Sequence, residues 1–151
     1  MLELKTEADA LINFRNHWIK VIDNLKYQKI IIFDRLPSLN EYVDVCRKNP
    51  FEAARFKRML ENEIITFIRI ADAEPINEPC IIHIDWFEKG RKRDVDNIES
   101  AVKFILDALQ GAGVLKNDSR KYVRQVSHNV IASDENGVIV WLITGDNVKD
   151  F

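Results

Sequence analysis

Two aspartates separated by one residue, Asp94 and Asp96, are the residues whose type and spacing most clearly suggest chemistry. In an extended segment, residues i and i+2 project to the same side, and two carboxylates there repel unless a cation lies between them. Hard cations such as Mg²⁺ take oxygen ligands and are commonly held by one or two carboxylates together with substrate phosphate. The pair therefore indicates a divalent-cation site, or an N-cap at Asp96, since negative charge is favourable where a helix begins.

A third acid and two groups of basic side chains accompany this pair. Asp118 follows the next predicted helix, and a loop that folds back would bring it beside Asp94 and Asp96, although the spacing leaves this open. Basic groups hold a phosphodiester backbone while carboxylates hold a metal ion that activates water, so the combination favours a nuclease site. The basic residues are Arg91, Lys92, Arg93, Arg120 and Lys121 around the acids, and Arg55, Lys57 and Arg58 in a separate segment.

Other catalytic chemistries lack their usual sequence signals. Cys46 and Cys80 show neither a C-x-x-C spacing nor a histidine partner for zinc. His17, His83 and His128 are isolated in the sequence, which favours a structural role for each of them. No G-x-S-x-G, P-loop or G-x-G-x-x-G motif occurs. The sequence therefore predicts no small-molecule cofactor.

The charge is distributed unevenly along the chain. Its total is −2, which alone disfavours a nucleic-acid partner. Residues 46–70 and 88–124 nevertheless each carry a net charge of +3, and the other segments are acidic. Solvated surface is the plainer interpretation of such runs. A localised basic face around an acidic centre also fits, and it predicts DNA affinity that falls steeply with salt.

The acids must be positioned by a helix, which the apolar periodicity predicts over about 97–110. Asp96, Ser100, Lys103 and Asp107 are spaced to lie along one side of that helix, opposite its apolar residues. Lys103 and Asp107 have an alternative interpretation, since residues at this i, i+4 spacing often form an ordinary ion pair on a helix.

The remaining patterns predict one domain of mixed helices and strands. A chain of 151 residues matches the usual size of a single domain, and residues 134–137 (DENG) are typical of a hairpin turn. The order of elements predicts an α+β fold, a mixed sheet of about four strands with helices packed on it. The other predicted helices cover about 6–25 and 50–70, and the predicted strands cover about 29–33, 80–87, 121–132 and 138–144.

Several short runs, in this order, resemble the signature of RusA-type Holliday-junction resolvases. RDVDN at 93–97 resembles the family's R-D-x-D-N entry, and KFILDAL at 103–109 resembles its K-x-x-x-D-A-L helix. AGV at 112–114 and ND at 117–118 resemble its A-G turn and its D-D or N-D end. LPSLN at 36–40 is similar to the family's early P-P-S-N-N segment.

The resemblance implies a function and a set of roles. The family consists of homodimeric, Mg²⁺-dependent endonucleases that cut four-way DNA junctions symmetrically and often occur in prophages. It implies that Asp94, Asp96 and Asp118 are catalytic and bind Mg²⁺, or Mn²⁺ in its place. It implies Lys103 as the catalytic lysine, and the basic residues named above would follow the DNA backbone.

One position departs from the family pattern. The family's lysine lies four residues after the second aspartate, where this chain has Ser100. Counted back from the helix end, Lys103 matches instead, because it lies four residues before Asp107. This implies an insertion of three residues in the first turns of the helix.

The expected protein is a cytoplasmic, homodimeric resolvase that acts in DNA recombination and repair. Residues 29–151 would form the RusA-like endonuclease domain, and residues 1–28 a helical extension. Two alternatives stay open: a non-catalytic protein that binds branched DNA, and a metal-dependent nuclease for flaps or forks. No stretch approaches the ~20 apolar residues of a membrane span, and the N-terminus lacks a signal-peptide pattern.

Overall fold

A single mixed sheet of four strands organises the fold, and this confirms the predicted α+β class. The computed structural model describes residues 2–151. Strand β4 runs antiparallel to both β1 and β2, whereas β2 and β3 run parallel to each other. The strands are β1 (Lys26–Ile32), β2 (Cys80–Lys89), β3 (Val123–Ser133) and β4 (Gly137–Thr144), and their spatial order is β1-β4-β2-β3.

The hairpin predicted between β3 and β4 is wrong, because β2 lies between these two strands. The backbone of β2 pairs with β3 along one edge and with β4 along the other, and nine of its ten residues are buried. The turn after β3 passes across the end of β2, where Asn136 Oδ1 accepts a hydrogen bond from the backbone N–H of Lys89 (2.8 Å). The turn residues therefore connect two strands that a third strand separates.

The helices agree with the sequence patterns in part. The helix expected over 50–70 has those bounds, with Pro50 in its first turn. The first helix ends at Trp18 rather than near residue 25, and the chain then turns through Asn24, whose φ is 51°. The helices are α1 (Leu4–Trp18), α2 (Leu39–Lys48), α3 (Pro50–Ile70), α4 (Val95–Glu99) and α5 (Val102–Gly111), followed by a 3₁₀ turn at Val148–Asp150.

The predicted helix over 97–110 is two helices rather than one. At the junction, i→i+3 bonds form: Ala101 N–H donates to Ile98 O (3.3 Å), and Phe104 N–H donates to the Ala101 carbonyl (3.0 Å). These tighter bonds interrupt the α-helical pattern between Asp96 and Lys103. The regular spacing behind the predicted polar stripe therefore does not extend across the junction.

Each face of the sheet carries its own apolar core. Ile82, Ile84 and Trp86 of β2 pack in the core that also contains buried residues of α3 and α5. The alternate residues of β2 face α1, where Phe14 stacks on Trp141 with ring centroids 4.1 Å apart. Helix α1 therefore covers a sheet face opposite the α4 and α5 side. No helix within residues 2–151 is long and apolar enough to cross a membrane.

Candidate active site

The acidic pair lies where α4 begins. Asp94 is the N-cap residue and Asp96 lies in the first turn, so the N-cap suggested at Asp96 is two residues too late. Because the helix starts at Val95, the segment is not extended, and the i, i+2 argument for a shared side does not apply. Both carboxylates are exposed, and neither accepts a hydrogen bond from any side chain or backbone group in residues 2–151.

The loop before α4 is held in place by Arg93. Its Nε and Nη2 donate to the two carboxylate oxygens of Glu88 at 2.7 and 2.8 Å, and its Nη1 donates to the carbonyl of Leu36 at 3.0 Å. The Glu88 residue is 8 % exposed. A bidentate pair of this kind restricts both partners. Arg93 therefore positions the acidic loop, whereas the neighbouring Arg91 and Lys92 are exposed.

Segment 36–40 packs against the junction between α4 and α5. The backbone N–H of Leu39 donates to Ser100 Oγ at 3.0 Å, and Ser100 Oγ donates to the carbonyl of Asn97 at 2.6 Å. Ser38 caps α2, since its Oγ accepts a hydrogen bond from the backbone N–H of Glu41 (3.1 Å). This cap begins a helix that the sequence patterns did not predict. Two runs more than fifty residues apart are thus in direct contact.

Lys103 lies among acidic side chains. Its Nζ donates to Asp107 Oδ1 at 2.9 Å, which confirms the i, i+4 pair, and Lys57 Nζ is 3.7 Å from Asp107 Oδ2. The hydrogen bond to Asp107 raises the pKa of Lys103 above its usual value, and the carboxylates of Asp118 and Glu61 add to this rise. Lys103 is therefore a protonated, half-exposed cation that is paired with Asp107. Ser100, at the other candidate lysine position, has an internal role instead.

The three aspartates provide the donors that a hard cation needs, but they do not converge. Asp94, Asp96 and Asp118 are all exposed, and carboxylate oxygens are the usual ligands of Mg²⁺. Within residues 2–151, no group of three or more His, Cys, Asp or Glu side chains is arranged to hold a metal ion. The donor chemistry therefore fits Mg²⁺, whereas this conformation does not enclose an ion.

Exposed cations and one aromatic ring lie close to Asp118 in the sequence. Lys116 and Lys121 place their Nζ atoms 5.9 and 5.4 Å from the centroid of the Tyr122 ring. Arg124, at the start of β3, is half-buried, and its Nε has no partner within residues 2–151. Cations and aromatic faces of this kind suit a nucleic-acid backbone and its bases. The other exposed cations among the predicted basic residues are Arg55, Arg58, Arg91, Lys92 and Arg120.

The three histidines lie far apart in the sequence, which suggests that they are isolated, but the fold brings them together. His17, His83 and His128 all line one cavity of about 180 Å³. His83 contacts Ser127 and Asp85, and this polar cluster is the main set of residues that the sequence patterns missed. The only sequence signal was a polar His and Asp at alternate positions of an otherwise apolar strand.

Comparisons with known proteins do not place the chain in a family. No protein-family model matches it, and no curated protein matches it either. The likeness to RusA-type resolvases therefore depends on the short sequence motifs alone.

Proposed function

We propose that this protein is a Mg²⁺-dependent, structure-specific DNA endonuclease that resolves four-way junctions. The supporting observation is the contact between segment 36–40 and the region 93–100, made through Arg93 and through Ser100. These are the two regions in which separate family-like motifs occur, and their contact presents Asp94 and Asp96 at the surface without internal partners.

The side chains divide into three proposed roles. Asp94, Asp96 and Asp118 would hold Mg²⁺, or Mn²⁺ in its place, which when bound supplies Lewis-acid chemistry for phosphodiester hydrolysis. Lys103 is the cation that would contact the phosphate at which charge develops. The basic residues would follow the DNA backbone: Arg91, Lys92, Arg55, Lys57, Arg58, Arg120 and Lys121. Arg93 would act indirectly, by positioning the acidic loop.

The substrate also bears on the assembly. A four-way junction has two-fold symmetry, and cutting it symmetrically takes two active sites. A homodimer related by a two-fold axis supplies them, so we propose that the functional unit is a homodimer.

The decisive experiment measures cleavage of a synthetic mobile four-way junction with and without Mg²⁺. We expect Asp94→Asn to lower the cleavage rate by about 100-fold or more, because one metal-binding carboxylate is lost, while junction binding in a gel-shift assay is retained. Asp72→Asn, which changes an exposed aspartate after α3, is the matched control and should cut like the unmodified protein.

Two outcomes would redirect the proposal. If the unmodified protein binds junctions but cuts with neither Mg²⁺ nor Mn²⁺, it is a binding protein for branched DNA. If flaps or replication forks are cut faster than junctions in a panel of branched substrates, the substrate assignment is wrong and the nuclease assignment stands.

A further inference from the structure

A polar cavity lies between α1 and the sheet, on the face opposite the aspartates of α4. Its volume is about 180 Å³. His83 and Asp85 are 7 % and 4 % exposed, so two ionisable groups are buried beside a core whose own buried residues are apolar. The polar residues that line the cavity include Asn13, His83, Asp85, Gln125, Ser127 and Asn129.

The parallel pairing of β2 and β3 brings three of these side chains into one line. The register pairs His83 with Ser127 and Asp85 with Asn129, and alternate residues of a strand share a face. His83 Nδ1 lies 2.7 Å from Ser127 Oγ, and His83 Nε2 lies 3.0 Å from Asp85 Oδ1. A hydroxyl, an imidazole and a carboxylate are thus linked in sequence by short contacts.

The surroundings of Asp85 determine which ring nitrogen carries the proton. Trp141 Nε1 donates to Asp85 Oδ2 at 2.8 Å, and Asn129 Nδ2 lies 3.3 Å from both Asp85 Oδ1 and His83 Nε2. The charged carboxylate is the stronger acceptor for this amide, so Asp85 accepts from both neighbours. His83 Nε2–H then donates to Oδ1, an assignment that follows from the hydrogen-bond network. Nδ1 is left as the acceptor for the Ser127 hydroxyl, which is the arrangement of an activated nucleophile, its base and an orienting acid.

We propose that Ser127 is the nucleophile of a second site, which hydrolyses short-chain carboxylic esters. Ser127 Oγ bonds to the ester carbonyl carbon and the bond to the alcohol oxygen breaks. The hydroxyl proton passes through His83 Nδ1 to the departing alcohol. Water then attacks the acylated Ser127, gives its proton to His83 Nδ1, and releases the carboxylic acid as the proton returns to Ser127 Oγ.

The lining of the cavity limits the substrate. A volume of about 180 Å³ accepts a short acyl chain, and a bulky alcohol would remain outside. The amide side chains of Asn13 and Gln125 line the same cavity, and neither has a hydrogen-bond partner within residues 2–151. They are the N–H donors available to the carbonyl oxygen as it gains negative charge.

The test treats the folded full chain with a fluorophosphonate and locates the adduct by peptide mass spectrometry. The reagent forms a bond from Ser127 Oγ to phosphorus and releases fluoride, so it reports nucleophilicity directly. We expect the adduct at Ser127 and hydrolysis of 4-nitrophenyl acetate that is lost in Ser127→Ala. In His83→Gln, labelling should fall about 100-fold, the lower range of what a general base contributes.

Two comparisons keep the proposal falsifiable. Ser133→Ala changes another half-buried serine of β3 and should leave labelling and ester hydrolysis unchanged. If His83→Gln does not fold, the unmodified chain is instead labelled both in its native state and unfolded in urea. The fluorophosphonate should then react with Ser127 much faster in the native protein. Absence of an adduct at Ser127, equal labelling in the two states, or ester hydrolysis that persists in Ser127→Ala would overturn the proposal.

Discussion

The carboxylates on the two faces of the sheet are in opposite situations. Asp94 and Asp96 at the start of α4 are exposed and accept no hydrogen bond within residues 2–151. Asp85 on the α1 face is 4 % exposed and accepts hydrogen bonds at both of its oxygens. The exposed pair is available to a partner from outside the chain, whereas Asp85 already has all its partners within the fold.

Neighbouring cations also differ in whether their partners lie inside the fold. Arg93 uses its guanidinium on Glu88 and Leu36, while Arg91, two residues earlier, is exposed. A charged residue in a candidate site thus either builds the site or remains available to bind, and only its contacts distinguish the two. Three pairs of substitutions test how the contacts of a charged residue determine its role.

The largest effect is expected for Asp85→Ala. This change leaves the buried Trp141 Nε1–H and His83 Nε2–H without acceptors, and each unsatisfied donor costs about 1–3 kcal/mol. We expect the free energy of unfolding, measured by urea titration, to fall by about 3 kcal/mol or more. Asp94→Ala is the matched control and should change it by less than about 0.5 kcal/mol. Equal effects at the two positions would remove the contrast.

A smaller loss is expected for Arg93→Ala. The substitution removes three hydrogen bonds and leaves Glu88 with its charge buried, and hydrogen bonds to charged groups contribute about 1.5–3 kcal/mol. The free energy of unfolding should therefore fall by about 2 kcal/mol. Arg91→Ala should be nearly neutral for stability, within about 0.5 kcal/mol. A neutral Arg93→Ala would show that the acidic loop does not depend on this ion pair.

The smallest effect concerns two carboxyl groups that do face each other, Glu63 and Asp34. Burial and the neighbouring Asp34 raise the pKa of Glu63 to about 7 from its ordinary value of 4.5. The folded state then binds this proton more tightly than the unfolded state, so stability from this group is lost as pH rises from about 4.5 to about 7. Glu63→Gln should remove that part of the pH dependence in urea titrations.

Asp34→Asn tests the cause of the Glu63 shift. Removing the neighbouring carboxylate should reduce the pH dependence of stability between about pH 4.5 and about pH 7, and burial alone would account for what remains. An unchanged pH profile in both variants would show that the two carboxyl groups do not interact.

Local patterns predicted most of the elements. The apolar spacing of Leu60 and Ile64 in α3, and the β-branched runs of β1 and β4, report burial directly, and these elements lie close to their predicted positions. Helix α2 is not predicted because its N-cap, Ser38, directly follows a proline in a run without a helical apolar period.

The sequence could not reveal the features that depend on distant contacts. The position of β2 between β3 and β4 depends on its pairing with both of those strands, which a turn signal such as DENG cannot report. The contact of His83 with Ser127 depends on the register of a parallel pair 44 residues apart. Likewise, Arg93 could not be separated from Arg91 without knowing the location of Glu88.

The strand order affects how the chain folds while it is being synthesised. Within residues 2–151, β1 pairs only with β4, which is the last of the four strands to be synthesised. The β1 segment must therefore wait, with its backbone groups unpaired, until the other three strands have emerged. Because such a pairing closes a long loop, it is slow, and the unpaired early strand is a site at which a chaperone or an unwanted strand could bind.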